Sequence, residues 1–298
     1  FKKLVVYTRV PRAMQRAKGG TIIGVRWVDV NKGDSENPDM RSRLVGQEFN
    51  THKDDELYAS TPPLEALRYV ISSAATISSS GKQRHIMIND VRRAYFYAKA
   101  TRDLYIELPD DDDEKCGDEI GKLNLSLYGT RDAAKNWQEH LSKHLEEAGF
   151  TRGVGHPSVY HNKERGLVTL VHGDDYTTAG EPKQLEWFKK QLEEAYEIKT
   201  QLIGPKGDKV GKVLNRVITY TGHGYEYEAD PRHSEMIVEQ MGVKGSGGIT
   251  TAGPQNEEVE TEAQEERLDP SDVTMFRGVS ARSMYLGPDR PEMLYASK

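Results

Sequence analysis

Residues 167–180 read LVTLVHGDDYTTAG: two strand-forming runs, Leu167 to His172 and Tyr176 to Gly180, with Gly173, Asp174 and Asp175 between them. Glycine accepts positive φ and aspartate bonds its own local backbone, so the spacing predicts a β-hairpin. The two adjacent acids decide how the rest of the chain is understood. Set among Leu170, Val171 and Tyr176, two carboxylates repel each other unless a cation stands between them. A solvated surface turn is the bland alternative, and a third carboxylate delivered by another strand would decide against it.

Working outward, HIMINDV (85–91) supplies that candidate. Ile86, Ile88 and Asp90 fall on one face of a strand by its two-residue period, so an apolar face expected to be buried ends in a carboxylate. A buried, unpaired carboxylate costs several kcal/mol or shifts its pKa, and so needs a cation or donors. Aspartate at a strand end is also a common cap. If Asp90, Asp174 and Asp175 converge, three carboxylates without a His or Cys partner form a hard oxygen site suited to Mg²⁺ or Mn²⁺. Two such ions stabilise the attacking and leaving oxygens of a phosphoryl displacement, a chemistry shared by polymerases and nucleases.

The 298-residue chain is long enough for more than one compact unit, and its net charge is −6. Mean hydropathy is −0.73. No apolar run of about 18 residues could span a bilayer, so no membrane partner is expected. A single cysteine, Cys116, excludes an internal disulfide framework and a cysteine-based zinc site, and fits a reducing compartment. From Phe1 to Val28 every formal charge is positive, whereas Asp110–Glu114 and Glu257–Glu266 are acidic blocks expected to be solvated loops. The lack of an initiator Met and the ending at Lys298 fit a piece of a longer chain.

Thr21–Val30 and Arg43–Phe49 are predicted to pair as a hairpin, with Arg41 and Arg43 on one face, where two guanidiniums can clamp a phosphate. Thr61-Pro62-Pro63 opens a helix with Leu64, Leu67, Ile71, Ala74 and Ile77 at helical spacing. Strands are expected at Leu104–Leu108 and Lys122–Tyr128, and amphipathic helices over Ala133–Ala148 and Leu185–Ala195. Val213–Thr221 with Tyr225–Glu228 forms a further hairpin, and helices follow over Pro231–Met241 and Asp272–Leu286. The β-runs are too closely spaced for a doubly wound parallel sheet, so the class expected is an antiparallel-rich α+β fold.

Three segments in order, NDVRRAYFYA (89–98), LSLYGTRDAAKNW (125–137) and LVHGDDYTTAG (170–180), resemble the palm motifs of the reverse transcriptases of Copia-type long-terminal-repeat retrotransposons. RSRLVGQEFN, YASTPPLEALRYVISSAAT, VITYTGHGYEYEADPRHSEMIVEQMG and VTMFRGVSARSMYLGPDRPEMLYASK resemble the flanking parts of that family. The resemblance implies a right-hand polymerase whose palm sheet carries the catalytic acids. Its parts would be fingers at 1–84, palm at 85–199, a thumb-side hairpin and helix at 200–241, a flexible acidic linker at 242–270, and at 271–298 the start of a connection toward a ribonuclease H domain.

Carried over by position, the resemblance makes Asp90, Asp174 and Asp175 the catalytic acids, with Asp90, the Val91 carbonyl and Asp174 as metal ligands. Tyr95 becomes an aromatic gate against a ribose 2′-OH. Arg41 and Arg43 become triphosphate contacts, and Tyr128 with Gly129 the start of the motif under the nascent base pair. His172 and Gly173, where the family carries Tyr-Val, lie on the primer side. Asp132-Ala133-Ala134 replaces the family's Gln-Ala-Pro and brings a negative charge toward the substrate or solvent. The implied partners are an RNA template, a DNA primer, dNTPs and other segments of one polyprotein. The implied setting is a cytoplasmic virus-like particle with later nuclear access. An inert remnant that binds nucleic acid without polymerising is the alternative that the departures at 132–134 and 172–173 support.

Overall fold

The structure is a computed structural model and describes residues 4–49, 62–78, 81–112, 116–247 and 268–294. The Thr61 cap, the acidic block Glu257–Glu266 and most of the linker expected at 242–270 lie outside the described residues. The chain divides into two compact units, Phe1–Gly204 and Pro205–Lys298.

In order, the first unit comprises β1 (Tyr7–Pro11), α1 (Arg12–Lys18), β2 (Thr21–Ile23), β3 (Val25–Asn31), β4 (Met40–Gly46), α2 (Leu64–Ala75), β5 (His85–Val91), β6 (Leu104–Glu107), β7 (Glu119–Leu123), α3 (Ala133–Glu147), β8 (Thr151–Arg152), β9 (Val159–Asn162), β10 (Leu167–His172), β11 (Asp175–Gly180), α4 (Pro182–Ala195) and β12 (Ile198–Ile203). The second holds β13 (Val210–Val213), β14 (Arg216–Tyr220), β15 (Tyr225–Ala229), α5 (Arg232–Gln240), α6 (Pro270–Leu286) and α7 (Pro291–Leu294).

The central sheet has six strands in the order β12-β5-β11-β10-β9-β8, all antiparallel. Its two faces follow from side-chain alternation. Met87 and Val91 of β5, Val171 of β10 and Tyr176 of β11 bury one face against Trp137, Leu141 and Leu145 of α3 and Leu185, Phe188 and Leu192 of α4. Helix α2 packs over β10, β11 and β5, and its buried residues, among them Leu67, Val70 and Ile71, stay outside that cluster. On the second face, burial fades from Ile86, Thr177 and Leu170 to the half-buried Asp90, Asp175 and His172. Asp90 therefore ends a face that is closed at one end and open at the other, where a fully buried face was expected.

Several elements depart from their sequence-based expectation for local reasons. The strand expected over Thr21–Val30 breaks at Gly24: β2 pairs parallel with β6, while β3 pairs antiparallel with β4. Helix α2 starts after Pro63 and stops at Ala75, which leaves Ile77 outside it and exposed. The strand expected at Lys122–Tyr128 runs earlier, Glu119–Leu123, between β1 and β6. Of the acidic block at 110–114, Asp110 and Asp111 are exposed as expected, residues 113–114 lie outside the described residues, and Asp112 departs from a solvated loop. Arg9 forms an ion pair at 2.6 Å with Asp112, whose side chain is nearly buried, and Arg12 pairs with Glu107 and Asp118. The basic N-terminal stretch is thereby matched in part by acids of its own unit.

The second unit is a three-stranded antiparallel meander, β13-β14-β15, with one strand more than the expected hairpin. The nearly buried Arg216 of β14 pairs with Asp289 at 2.7 Å and donates to the Tyr285 carbonyl at the end of α6. Helix α5 packs on α6. Among the described residues no helix is long and apolar enough to cross a membrane.

Candidate metal centre

The acidic hairpin is a two-residue turn, tighter than the sequence suggested: β10 ends at His172, β11 begins at Asp175, and Gly173 and Asp174 form the corner. Gly173 has φ of 61°, a conformation that L side chains avoid, and a Cβ there would meet nothing within 4 Å. Conformation and not space calls for the glycine.

Register then gathers the charges. Across the sheet, His172 of β10 stands opposite Asp175 of β11, Asp175 opposite Asp90 of β5, and Asp90 opposite Lys199 of β12. Residues opposite in antiparallel strands share a face, so this is one row of side chains on the open end of the sheet. Asp174 joins it from the turn, where its carbonyl accepts the Val91 N–H at 2.9 Å. Asp90, Asp174 and Asp175 each offer a carboxylate oxygen, and the three oxygens lie within 4.8 Å of one another. All three sequence-predicted acids are thus brought together.

Their electrostatics follow from that proximity. Burial, then the charges of Asp174 and Asp90, push the Asp175 carboxyl up to about 6. Burial also raises Asp174; a backbone hydrogen bond opposes the rise and the Asp90 charge adds to it. Three carboxylate oxygens this close together, on a face where Asp174 and Asp175 are both pushed up, fit a hard divalent cation, which would relieve the repulsion.

Beside the acids stands an aromatic pair. Tyr95, in a short 3-10 turn over Ala94–Tyr97, stacks on Tyr128 with ring centroids 4.4 Å apart. Burial and the nearby Asp174 charge raise both phenols, Tyr128 to about 12. The Arg43 guanidinium lies 5.4 Å from the Tyr128 ring centre. Arg41, two residues nearer the tip of the β3–β4 hairpin, is exposed and pairs with Asp39 at 3.4 Å. Arg43 joins the aromatic pair, therefore, and Arg41 sits further out. Gly129 has φ of 84°, and a Cβ there would lie 2.1 Å from the Gly46 carbonyl. This close approach seats the base of the β3–β4 hairpin on the turn after Tyr128, where Gly46 N–H donates to the Tyr128 carbonyl at 2.7 Å.

Asp132, expected to face substrate or solvent, does neither. It is 4% exposed and pairs with Arg102 at 2.6 Å, and Arg102 also bonds Glu48 in a bidentate pair at 2.8 and 2.9 Å. Burial alone would raise the Asp132 carboxyl, but the Arg102 guanidinium outweighs it and holds the group low. The charge introduced at 132 is consumed in a buried network.

Three features escaped sequence reasoning. Lys199 reaches the acid row only through the β12–β5 register. Arg102 carried no signal that paired it with Asp132. Trp137, assigned to the core by its helical spacing, is indeed 1% exposed, yet its Nε1 also donates to the Gly173 carbonyl at 2.7 Å.

Comparisons with known proteins identify the family of the chain. Residues 8–208 match the family profile described as Reverse transcriptase (RNA-dependent DNA polymerase). The chain is 23% identical to the Retrovirus-related Pol polyprotein from transposon TNT 1-94 of Nicotiana tabacum over 80% of its length, and 23% identical to that from transposon RE1 of Arabidopsis thaliana over 93%. In each case the match spans 18% of the relative, so the chain corresponds to a minor part of those polyproteins. Among solved structures, a foamy viral protease-reverse transcriptase in complex with double-stranded DNA covers 88% of this chain and 36% of its own, with 11% identity and a TM-score of 0.45. An apo telomerase from Candida tropicalis covers 76% of this chain and 58% of its own, with 8% identity and a TM-score of 0.42.

Proposed function

Since this chain belongs to the reverse transcriptase (RNA-dependent DNA polymerase) family, we propose that its acid row is the centre of an RNA-directed DNA polymerase that extends a primer on an RNA or DNA template. The observation that carries this reading is the convergence of Asp90, Asp174 and Asp175 at the open end of one sheet face. Asp90 and Asp174, with the Val91 carbonyl, are the ligands we assign to the metal, and Asp175 supports them. Bound there, Mg²⁺ or Mn²⁺ would neutralise charge developing on the attacking and leaving oxygens.

The chain's own residues supply position and selection. The Tyr95–Tyr128 stack is a rigid wall beside the acids, suited to reject a ribose 2′-OH and so to favour dNTPs. Arg43, against that wall, is placed for a triphosphate oxygen, and Arg41 for one further out. Gly129 supports the surface beneath the base pair, and His172 and Gly173 face the primer terminus. On this reading residues 1–84 act as fingers, 85–204 as palm, since β12 belongs to the central sheet and moves the expected boundary past 199, and 205–241 as thumb side. Template RNA, primer DNA and the neighbouring segments of a Pol polyprotein are the partners, and a virus-like particle is the setting.

The aromatic wall and Arg43 favour polymerase over a two-metal nuclease. The gathered acids, the glycine-compatible turn and the paired Asp132 favour an active copy over an inert remnant. Primer extension on an RNA template, wild type against Asp174→Asn, tests this. Incorporation by wild type and none by the variant is expected. Equal extension by both would remove the metal role, whereas template-primer binding without incorporation at any Mg²⁺ or Mn²⁺ concentration would leave the inert reading.

A further inference from the structure

Asp174 sits between two peptide groups, and each is held by a different element. The peptide that follows it is fixed by the sheet: the Asp174 carbonyl accepts the Val91 N–H of β5 at 2.9 Å. The peptide that precedes it contains the Gly173 carbonyl, which accepts the indole N–H of Trp137 from α3 at 2.7 Å. The donor of that second bond is buried, although Gly173 itself is exposed. Trp137 is 1% exposed, and its ring is set among Tyr97, His140 and Tyr196. Gly173 itself has little to hold it, with a positive φ and open space where a Cβ would be. Yet the carboxylate oxygens of Asp90, Asp174 and Asp175 lie within 4.8 Å of one another around this tip, where like charges repel.

We propose that Trp137 is a positioning residue of the metal centre: its indole N–H fixes the Gly173–Asp174 peptide plane and so sets where the Asp174 carboxylate stands relative to Asp90 and Asp175. A purely structural tryptophan would need only its ring. A hydrogen bond that orients a metal ligand acts on metal affinity, commonly by about 10–100-fold when removed. The inference rests on the metal reading of the acid row.

Direct Mn²⁺ titration of the 298-residue protein by electron paramagnetic resonance, with a nucleic-acid duplex present and no dNTP, separates the two. Trp137→Phe removes the donor and part of the ring. Replacement of Trp137 by 3-benzothienylalanine removes only the N–H and keeps the shape, so it remains informative if the phenylalanine variant folds poorly. Wild type should bind Mn²⁺, and the benzothienyl protein, with an unchanged circular dichroism spectrum and melting point, should bind it about 10-fold or more weakly. Equal affinity in the folded benzothienyl protein would overturn the positioning role and leave the metal reading intact. No Mn²⁺ binding by wild type would overturn both.

Discussion

The two faces of the central sheet are made by the same strands from alternate residues, and they do opposite things. Met87, Val91, Val171 and Tyr176 face α3 and α4 and are sealed from water. One residue along from each lie Ile88, Asp90, His172 and Asp175, on the face that opens toward one end. The packed face gains stability and fixes the strands. The open face gathers like charges that weaken the fold, and it can do so because the other face holds the register that brings them together. Function and stability are thus divided by the pleat, and substitutions on the two faces should separate accordingly.

The sharpest break comes from Asp90→Asn, a change confined to the open face. Loss of a group that orients a metal ligand costs about 10–100-fold, so loss of Asp90, a ligand on the proposed reading, should cost at least about 100-fold in primer extension. Stability should change little, since the substitution removes a like charge opposite Asp175 and, on the other side, an opposite charge facing Lys199. Steady-state incorporation together with a thermal melt checks both halves. A melting point that fell along with activity would show the two faces to be energetically inseparable.

Gly129→Ala asks whether the open face depends on packing at a neighbouring contact. The left-handed conformation alone costs about 1–2 kcal/mol for an L residue. The added Cβ would also strike the Gly46 carbonyl at 2.1 Å, so the base of the β3–β4 hairpin must move and take Arg43 with it. The expected outcome is a KM for dNTP raised by about 10-fold, equivalent to about 1.4 kcal/mol, with Mn²⁺ affinity unchanged. A fall in kcat alone would place the effect in the acids instead.

Legibility in the sequence followed the range of the physics. The acidic turn, the alternation in 85–91 and the helical spacing of α3 are local, and each could be read within about ten residues. The resemblance of three ordered motifs then joined Asp90 to Asp174 across the chain. Register was not legible: nothing near Lys199 says that it stands opposite Asp90, and nothing near Asp132 says that Arg102, thirty residues earlier, neutralises it. The role of the Trp137 N–H was hidden because a core ring and a hydrogen-bond donor look the same in an amphipathic pattern. The chain's change of sheet at Gly24 was hidden too, since both halves have strand-like composition.

A subtler test uses the strain on the open face. The Asp175 carboxyl is pushed up to about 6 by burial and by its two neighbours, against about 3.9 in an unfolded chain. Between those values the folded protein holds more protons than the unfolded one, so without divalent metal stability falls as pH rises from about 4 to about 6 and stays low above that. Asp175→Asn should therefore raise metal-free stability at pH 7.5 by up to about 2 kcal/mol after allowance for partial exposure. The gain should vanish below about pH 4 and shrink when Mg²⁺ stabilises wild type. Urea titrations at both pH values check it, and a variant less stable than wild type at pH 7.5 would count against the repulsion.

The smallest effect belongs to the packed face. Tyr176 pairs across the ladder with Asn89, so its ring turns away from Asp175 into the cluster around Phe188, and it is fully buried. Among the described residues its hydroxyl has no hydrogen-bond partner, and burial lifts it well above the ordinary phenol range. A buried hydroxyl without a partner carries a desolvation cost that its own removal relieves, whereas the ring area it would leave in place is the part that stabilises. Tyr176→Phe should then change stability by no more than about 1 kcal/mol, in the favourable direction, with primer extension and Mn²⁺ affinity as in wild type. Asp175 is its immediate neighbour in sequence, so the pair makes the division by the pleat testable at adjacent positions. Loss of activity in Tyr176→Phe without loss of stability would show that the sealed face communicates with the acids through more than backbone register.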